Sequence, residues 1–147
     1  MSFQAFTKRY DSIVNQIILP CEVAIPVTDI SQKTEVATFN ALWDTGASCT
    51  VISNKVAKLL GLATFSQTTI NHANGQSIAN IHNISLTLPN KTMFPFVRVI
   101  ETNLSGFDLL IGMDIINKGD LSISNMNGKT TFSFRMPSYQ ETDFEST

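Results

Sequence analysis

Between Val36 and Ile52 the chain leaves itself few ways to fold. A run rich in apolar and β-branched residues, Val36 to Trp43, enters a short polar and small-residue segment, Asp44-Thr45-Gly46-Ala47-Ser48-Cys49. A second β-branched run, Thr50-Val51-Ile52, leaves it. Runs of this kind read as buried strands. The segment between them is too short for anything but a tight loop. A carboxylate is thereby held between two buried strands, where it is costly unless hydrogen-bonded or put to use.

The rest of the chain repeats the period of two. Cys21, Val23, Ile25 and Val27 alternate with Glu22, Ala24 and Pro26, and a turn is expected over Asp29 to Lys33. Ser53 suits an N-cap, Val56, Leu59 and Leu60 have helical spacing, and Gly61 suits the residue after the helix. Thr68 to Pro89 reads as a hairpin turning at Asn74-Gly75. Phe94 to Ile100 reads as a strand in which Pro95 marks an edge or a bulge. Phe107 to Gly112 is a buried-type strand, followed by a short helix from Asp114 to Lys118 that Gly119 closes. Leu121 and Ile123 alternate with serines. Asn127-Gly128 is a second hairpin signal, and Phe132, Phe134 and Met136 share one face of a last strand.

The first residues have a different period. Phe3, Phe6, Tyr10, Ile13, Val14 and Ile17 recur at steps of three and four, so a helix is expected, ended by Pro20. The expected organisation is therefore an N-terminal helical extension over 1–19, an all-β domain over 20–136, and a loose polar tail over 137–147.

Composition narrows the class of function. The 147 residues suit one domain; 43% are hydrophobic and 15% charged, which excludes a disordered chain. A net charge of −2 offers no basic footprint for nucleic acid or for anionic membranes. No signal peptide or membrane span is read, so a soluble cytoplasmic protein is expected, in which Cys21 and Cys49 are reduced core thiols. The sequons at Asn83, Asn90 and Asn103 would matter only in a secretory setting. Two cysteines and two histidines, His72 and His82, have no metal-ligand spacing, and no cofactor is expected. Cys49 with His72 could suggest a thiol protease, but no pattern surrounds the pair.

An Asp with a Gly two residues later is in isolation an ordinary β-turn. Here Asp44-Thr45-Gly46-Ala47 stands with a second element, Leu109-Leu110-Ile111-Gly112-Met113-Asp114-Ile115-Ile116, and a hairpin lies between them. In that order the two resemble the retropepsin family, the retroviral-type aspartic proteases, over about residues 20–136. The resemblance implies a retropepsin-like acid protease half-barrel with a flap hairpin and short helices. It implies that Asp44 is the catalytic carboxylate and that Thr45 braces two active-site loops across a dimer axis. Gly46 and Ala47 complete the loop, Asn74 and Gly75 tip the flap, and Gly112 lies in the strand behind the active site. Typical viral members carry an acid two positions after the motif Gly and a base after the later Gly, as an ion pair. Ser48 and Met113 stand there instead. Joint loss of both partners can be nearly neutral, whereas loss of one is costly. The Gly112-Met113-Asp114 version looks more like cellular and bacterial members than viral ones.

Metal-free peptide hydrolysis needs a water made nucleophilic and an acid for the leaving amine, which two carboxylates sharing a proton can supply. Asp29, Asp108 and Asp114 lack the Asp-[Thr/Ser]-Gly context. The second carboxylate is therefore expected from the Asp44 of another copy, in a homodimeric endopeptidase acting on peptide or protein substrates. The other reading is a dimeric peptide-binding module on the same fold that does not cut.

Overall fold

The computed structural model describes residues 4–26 and 35–146. Val27 and the turn expected over Asp29 to Lys33 lie outside the described residues, as does Phe3. Ten strands and two short helices follow in chain order: β1 (Gln4–Arg9), β2 (Ile18–Ala24), β3 (Val36–Trp43), β4 (Val51–Ser53), α1 (Asn54–Leu60), β5 (Ser66–His72), β6 (Gly75–Thr87), β7 (Met93–Thr102), β8 (Leu109–Ile111), α2 (Met113–Ile116), β9 (Asp120–Ser124) and β10 (Thr131–Met136).

The larger sheet has the order β2-β3-β8-β4-β7-β6-β5, and β2 also pairs with β6. Six strands thus close on themselves, and β5 projects beyond the ring as the outer arm of a hairpin. Most pairs are antiparallel, but β3 runs parallel to β8 and β4 parallel to β7. Closure leaves few free edges. The interior is filled by Val23, Ala41, Ile52, Ile84, Leu86, Val99, Leu109 and Ile111, all fully buried. Alternation delivers them: along β6 and β7 the pairs Ile84–Val97 and His82–Val99 face inward, and Asn83–Arg98 between them faces out.

The expected punctuation marks act as their chemistry requires. The Ser53 hydroxyl caps α1 by accepting from the Val56 N–H at 3.3 Å, and Gly61 ends the helix in the left-handed region at φ +62°. Between the pairs Ile84–Val97 and Leu86–Phe94, Pro95 and Phe96 on β7 oppose Ser85 alone on β6. Pro95 therefore sits in a bulge, where its missing N–H costs no ladder bond.

The N-terminal helix is not there. Gln4–Arg9 is a strand, paired along its whole length with β10. A three-stranded sheet, β1-β10-β9, results. The three- and four-residue spacing was real but lost to a tertiary partner. In a strand, Phe6 reaches Trp43, Phe132 and Phe134, with ring centroids 5.8, 5.9 and 6.3 Å away. The Tyr10 hydroxyl donates to the Ile18 carbonyl, and the Tyr10 N–H donates to the Thr130 carbonyl. A short isolated helix has no comparable source of stability. Pro20 does not stop a helix either; it is an exposed residue within β2. The tail beyond Pro137 is exposed, but its first turn is tied down, since Asp120 accepts from the Ser138 hydroxyl and the Tyr139 N–H.

Candidate active site

Strand β3 delivers Asp44 to the surface. Its N–H donates to the Ile111 carbonyl at 2.9 Å, so the last bond of the β3–β8 pairing also fixes the start of the loop. The loop closes on its own carboxylate. The Gly46 N–H donates to Asp44 Oδ1 at 2.8 Å, and the Ala47 N–H donates to the Asp44 carbonyl at 3.2 Å. Oδ2 of Asp44 has no protein partner among the described residues and is available to a ligand. Asp44 is half-buried, while Thr45, Gly46 and Ser48 are exposed at the tip.

Gly112 lies against the back of this loop. A Cβ there would come within 2.6 Å of both the carbonyl carbon and oxygen of Cys49, and within 3.0 Å of the Ala47 oxygen. Only a glycine allows the two backbones to pack, as the resemblance implies. The Met113 N–H then donates to the Ala47 carbonyl at 2.8 Å.

Sequence reasoning missed the clamp that holds this arrangement. Thr50 is fully buried. Its N–H donates to Asp114 Oδ2 at 3.0 Å and its hydroxyl to Asp114 Oδ1 at 2.8 Å, while the Thr50 Oγ1 accepts from the Gly112 N–H at 3.3 Å. Asp114 also accepts from the Ile115 N–H at 3.0 Å, and it braces the Asp44 loop from within α2, which starts at Met113 and ends at Ile116 rather than running from Asp114 to Lys118 as expected. Partners 64 residues apart leave no local signal. Asp108 is likewise a brace: it accepts from the Ser53 hydroxyl at 3.1 Å and lies 3.8 Å from the Lys55 ammonium.

The hairpin of β5 and β6 carries Asn74 and Gly75 at its tip. The pairing His72–Gly75 makes Ala73-Asn74 the two-residue loop, one position earlier than the Asn74-Gly75 expected. Gly75, at φ +119°, opens the return strand in a conformation only glycine takes readily. The hairpin is largely exposed, and Ile78 near its tip is 72% accessible. At its base His82 is 1% accessible and wedged between two acceptors, the Ala63 carbonyl at 3.3 Å and Glu101 Oε1 at 2.7 Å. This ties the entry to β5 onto β7.

The histidine at the hairpin tip and the two thiols have their own surroundings. His72 Nδ1 accepts from the Asn74 N–H, so it serves the hairpin tip. Burial pushes the Cys21 thiol up to about 12. Burial also raises the Cys49 thiol, aided by Asp114 and opposed by Arg98. The two cysteines are free. Among the described residues no three His, Cys, Asp or Glu side chains gather as metal ligands. Nor is any described helix long and apolar enough to cross a membrane. Trp43 packs beneath the loop, its ring 5.1 Å from both Phe132 and Phe134.

The family described as "gag-polyprotein putative aspartyl protease" matches residues 32–118, which include Asp44, the hairpin and Gly112. The chain belongs to this family. Two solved structures show the same fold. A retropepsin-like aspartic protease from Rickettsia conorii is 15% identical, covering 91% of this chain and 95% of its own, at a TM-score of 0.55. The EIAV protease, solved with the inhibitor HBY-793, is 15% identical, covering 70% of this chain and 86% of its own, at a TM-score of 0.50. No curated protein matches the sequence. The retropepsin-like assignment therefore stands, and the bacterial structure overlays more of the chain than the viral one.

Proposed function

We propose that this retropepsin-like protein is an aspartic endopeptidase that works as a homodimer. The observation that carries the reading is the state of Asp44. It stands half-buried at the start of a loop whose tip is exposed and which is braced from behind by Gly112 and the Thr50–Asp114 clamp, with Oδ2 uncommitted. A twofold axis at the exposed Thr45-Gly46 tip would set Asp44 against its own copy in an isologous contact. Two carboxylates so placed share one proton. The ionised one takes a proton from water as it attacks the peptide carbonyl. The protonated one hydrogen-bonds that carbonyl and then supplies the leaving amine with its proton. The hairpin carrying Asn74 and Gly75 closes over the bound peptide.

Asp44→Asn tests this directly. The variant keeps the loop's hydrogen-bond acceptor but removes the ionisable group. Cleavage of a peptide library should be abolished while sedimentation shows an unchanged dimer. Full activity in the variant would end the proposal. The non-cutting reading retains one specific motive, the absence at Ser48 and Met113 of the charged dimer brace. It predicts that the wild type binds peptides and cleaves none.

A further inference from the structure

The strand pairings place an uncommitted cation beside the end of the Asp44 loop. Val51 of β4 pairs with Ile100 of β7, and the Ile100 N–H donates to the Thr50 carbonyl at 3.3 Å. Running that parallel register back by two residues sets Cys49 beside Arg98. Thr50, Ile52 and Val99 point into the core, so Cys49, Val51, Arg98 and Ile100 share the opposite face. On β6, Ile81 pairs with Ile100 and Asn83 with Arg98, and Ile81 in turn pairs with Ser66 of the hairpin. This face therefore runs from the Asp44 loop toward the foot of the hairpin, with an apolar stripe of half-buried Val51 and Ile100 and a polar margin of Cys49, Arg98 and Asn83, while Ile81 beside Ile100 is itself covered.

Arg98 is exposed, and no described side chain forms an ion pair or hydrogen bond with it. The nearby acid does not neutralise it by contact. Both Asp114 oxygens are occupied by Thr50 and Ile115 donors. The electrostatic influence of Arg98 on the Cys49 thiol agrees with the closeness that the register implies. Ser48 and Cys49, the loop residues nearest this margin, contribute no carboxylate.

We propose that Arg98 is a specificity-determining residue that selects peptides carrying an Asp or Glu side chain at an outer position, a few residues from the scissile bond. This rests on the endopeptidase reading, in which the peptide lies between the Asp44 loop and the hairpin. A guanidinium offers forked donors suited to a carboxylate. The apolar stripe beside it takes the residues nearer the bond.

The test uses peptide pairs that differ only as Glu against Gln, scanned along the positions flanking a cleaved bond. At one position the wild type should favour Glu by about fivefold in kcat/KM, the scale of a solvent-accessible ion pair. The effect should lie mainly in KM and shrink as salt rises. Arg98→Gln should remove the preference with the thermal midpoint kept, and Arg98→Glu should invert it toward Lys. A preference absent in the wild type, or unchanged in Arg98→Gln, overturns the inference. Binding of the same peptides to the Asp44→Asn dimer separates this outcome from failure of the endopeptidase reading. An Arg98-dependent preference in binding, with no cleavage by the wild type, supports Arg98 and ends the protease reading. Cleavage without that preference does the reverse.

Discussion

Gly112 and Asp114 hold the Asp44 loop by opposite means, one by lacking a side chain and the other through the full use of its own. Gly112→Ala would drive a Cβ to 2.6 Å from the Cys49 backbone, which has no flexible end to move aside. We expect destabilisation of about 1–3 kcal/mol in urea unfolding, the usual cost of overpacking. The displaced loop should lower kcat/KM further, toward hundredfold for a shift near 1 Å. Asp114→Ala leaves the N–H and hydroxyl of Thr50 without acceptors at a site with no solvent access. A loss of about 2 kcal/mol is expected from the orphaned donors. If either variant unfolds at the wild-type denaturant midpoint, the bracing described here is wrong.

At the scale of elements, the β9–β10 hairpin is tied to the tail through Asp120. Its carboxylate accepts from the Ser138 hydroxyl, the Tyr139 N–H and Arg135 Nε, and these bonds hold it well below the ordinary carboxylate range. A folded pKa below the unfolded value adds stability that is complete above the unfolded value, near pH 4, and is lost as pH falls through the folded one. Asp120→Asn should therefore lower the urea midpoint at pH 7, with the difference from wild type shrinking progressively below about pH 4. A constant difference across that range would show that the ionisation of Asp120 is not linked to folding. The β5–β6 hairpin was legible because Gly75 needs positive φ and alternating residues follow it. Its loop fell one residue earlier because pairing register, not the Asn-Gly dipeptide alone, sets which residues turn.

For the whole molecule, one carboxylate per chain has a kinetic consequence. If two copies build the site, activity per chain must fall on dilution as the dimer dissociates, and sedimentation must show the same midpoint. Specific activity that stays flat while the protein becomes monomeric would contradict a shared site. The dimer would have to hold without the charged brace missing at Ser48 and Met113, so its contacts differ from those the resemblance implies.

Local chemistry was enough to reveal the strand entering Asp44 and the capped helix after Ser53, and it left Pro95 at an edge or a bulge, of which the structure has the bulge; the glycine behind the loop came from the resemblance. In each case a residue's own backbone or side-chain limits decide its neighbours' conformation. The same local reading failed over residues 4–17, because the energy that decides their form comes from β10 and from Trp43, Phe132 and Phe134, more than a hundred positions away in three of those four cases. The Thr50–Asp114 clamp and the alignment of Arg98 with Cys49 escaped it for the same reason. Hydrogen bonds and charges act across space, and only closure of the barrel brings those partners together. What the chain's order determined about Asp44 was a carboxylate on a tight loop between buried strands; what the tertiary structure decided was how firmly that loop is held and which side chains line the ground beside it.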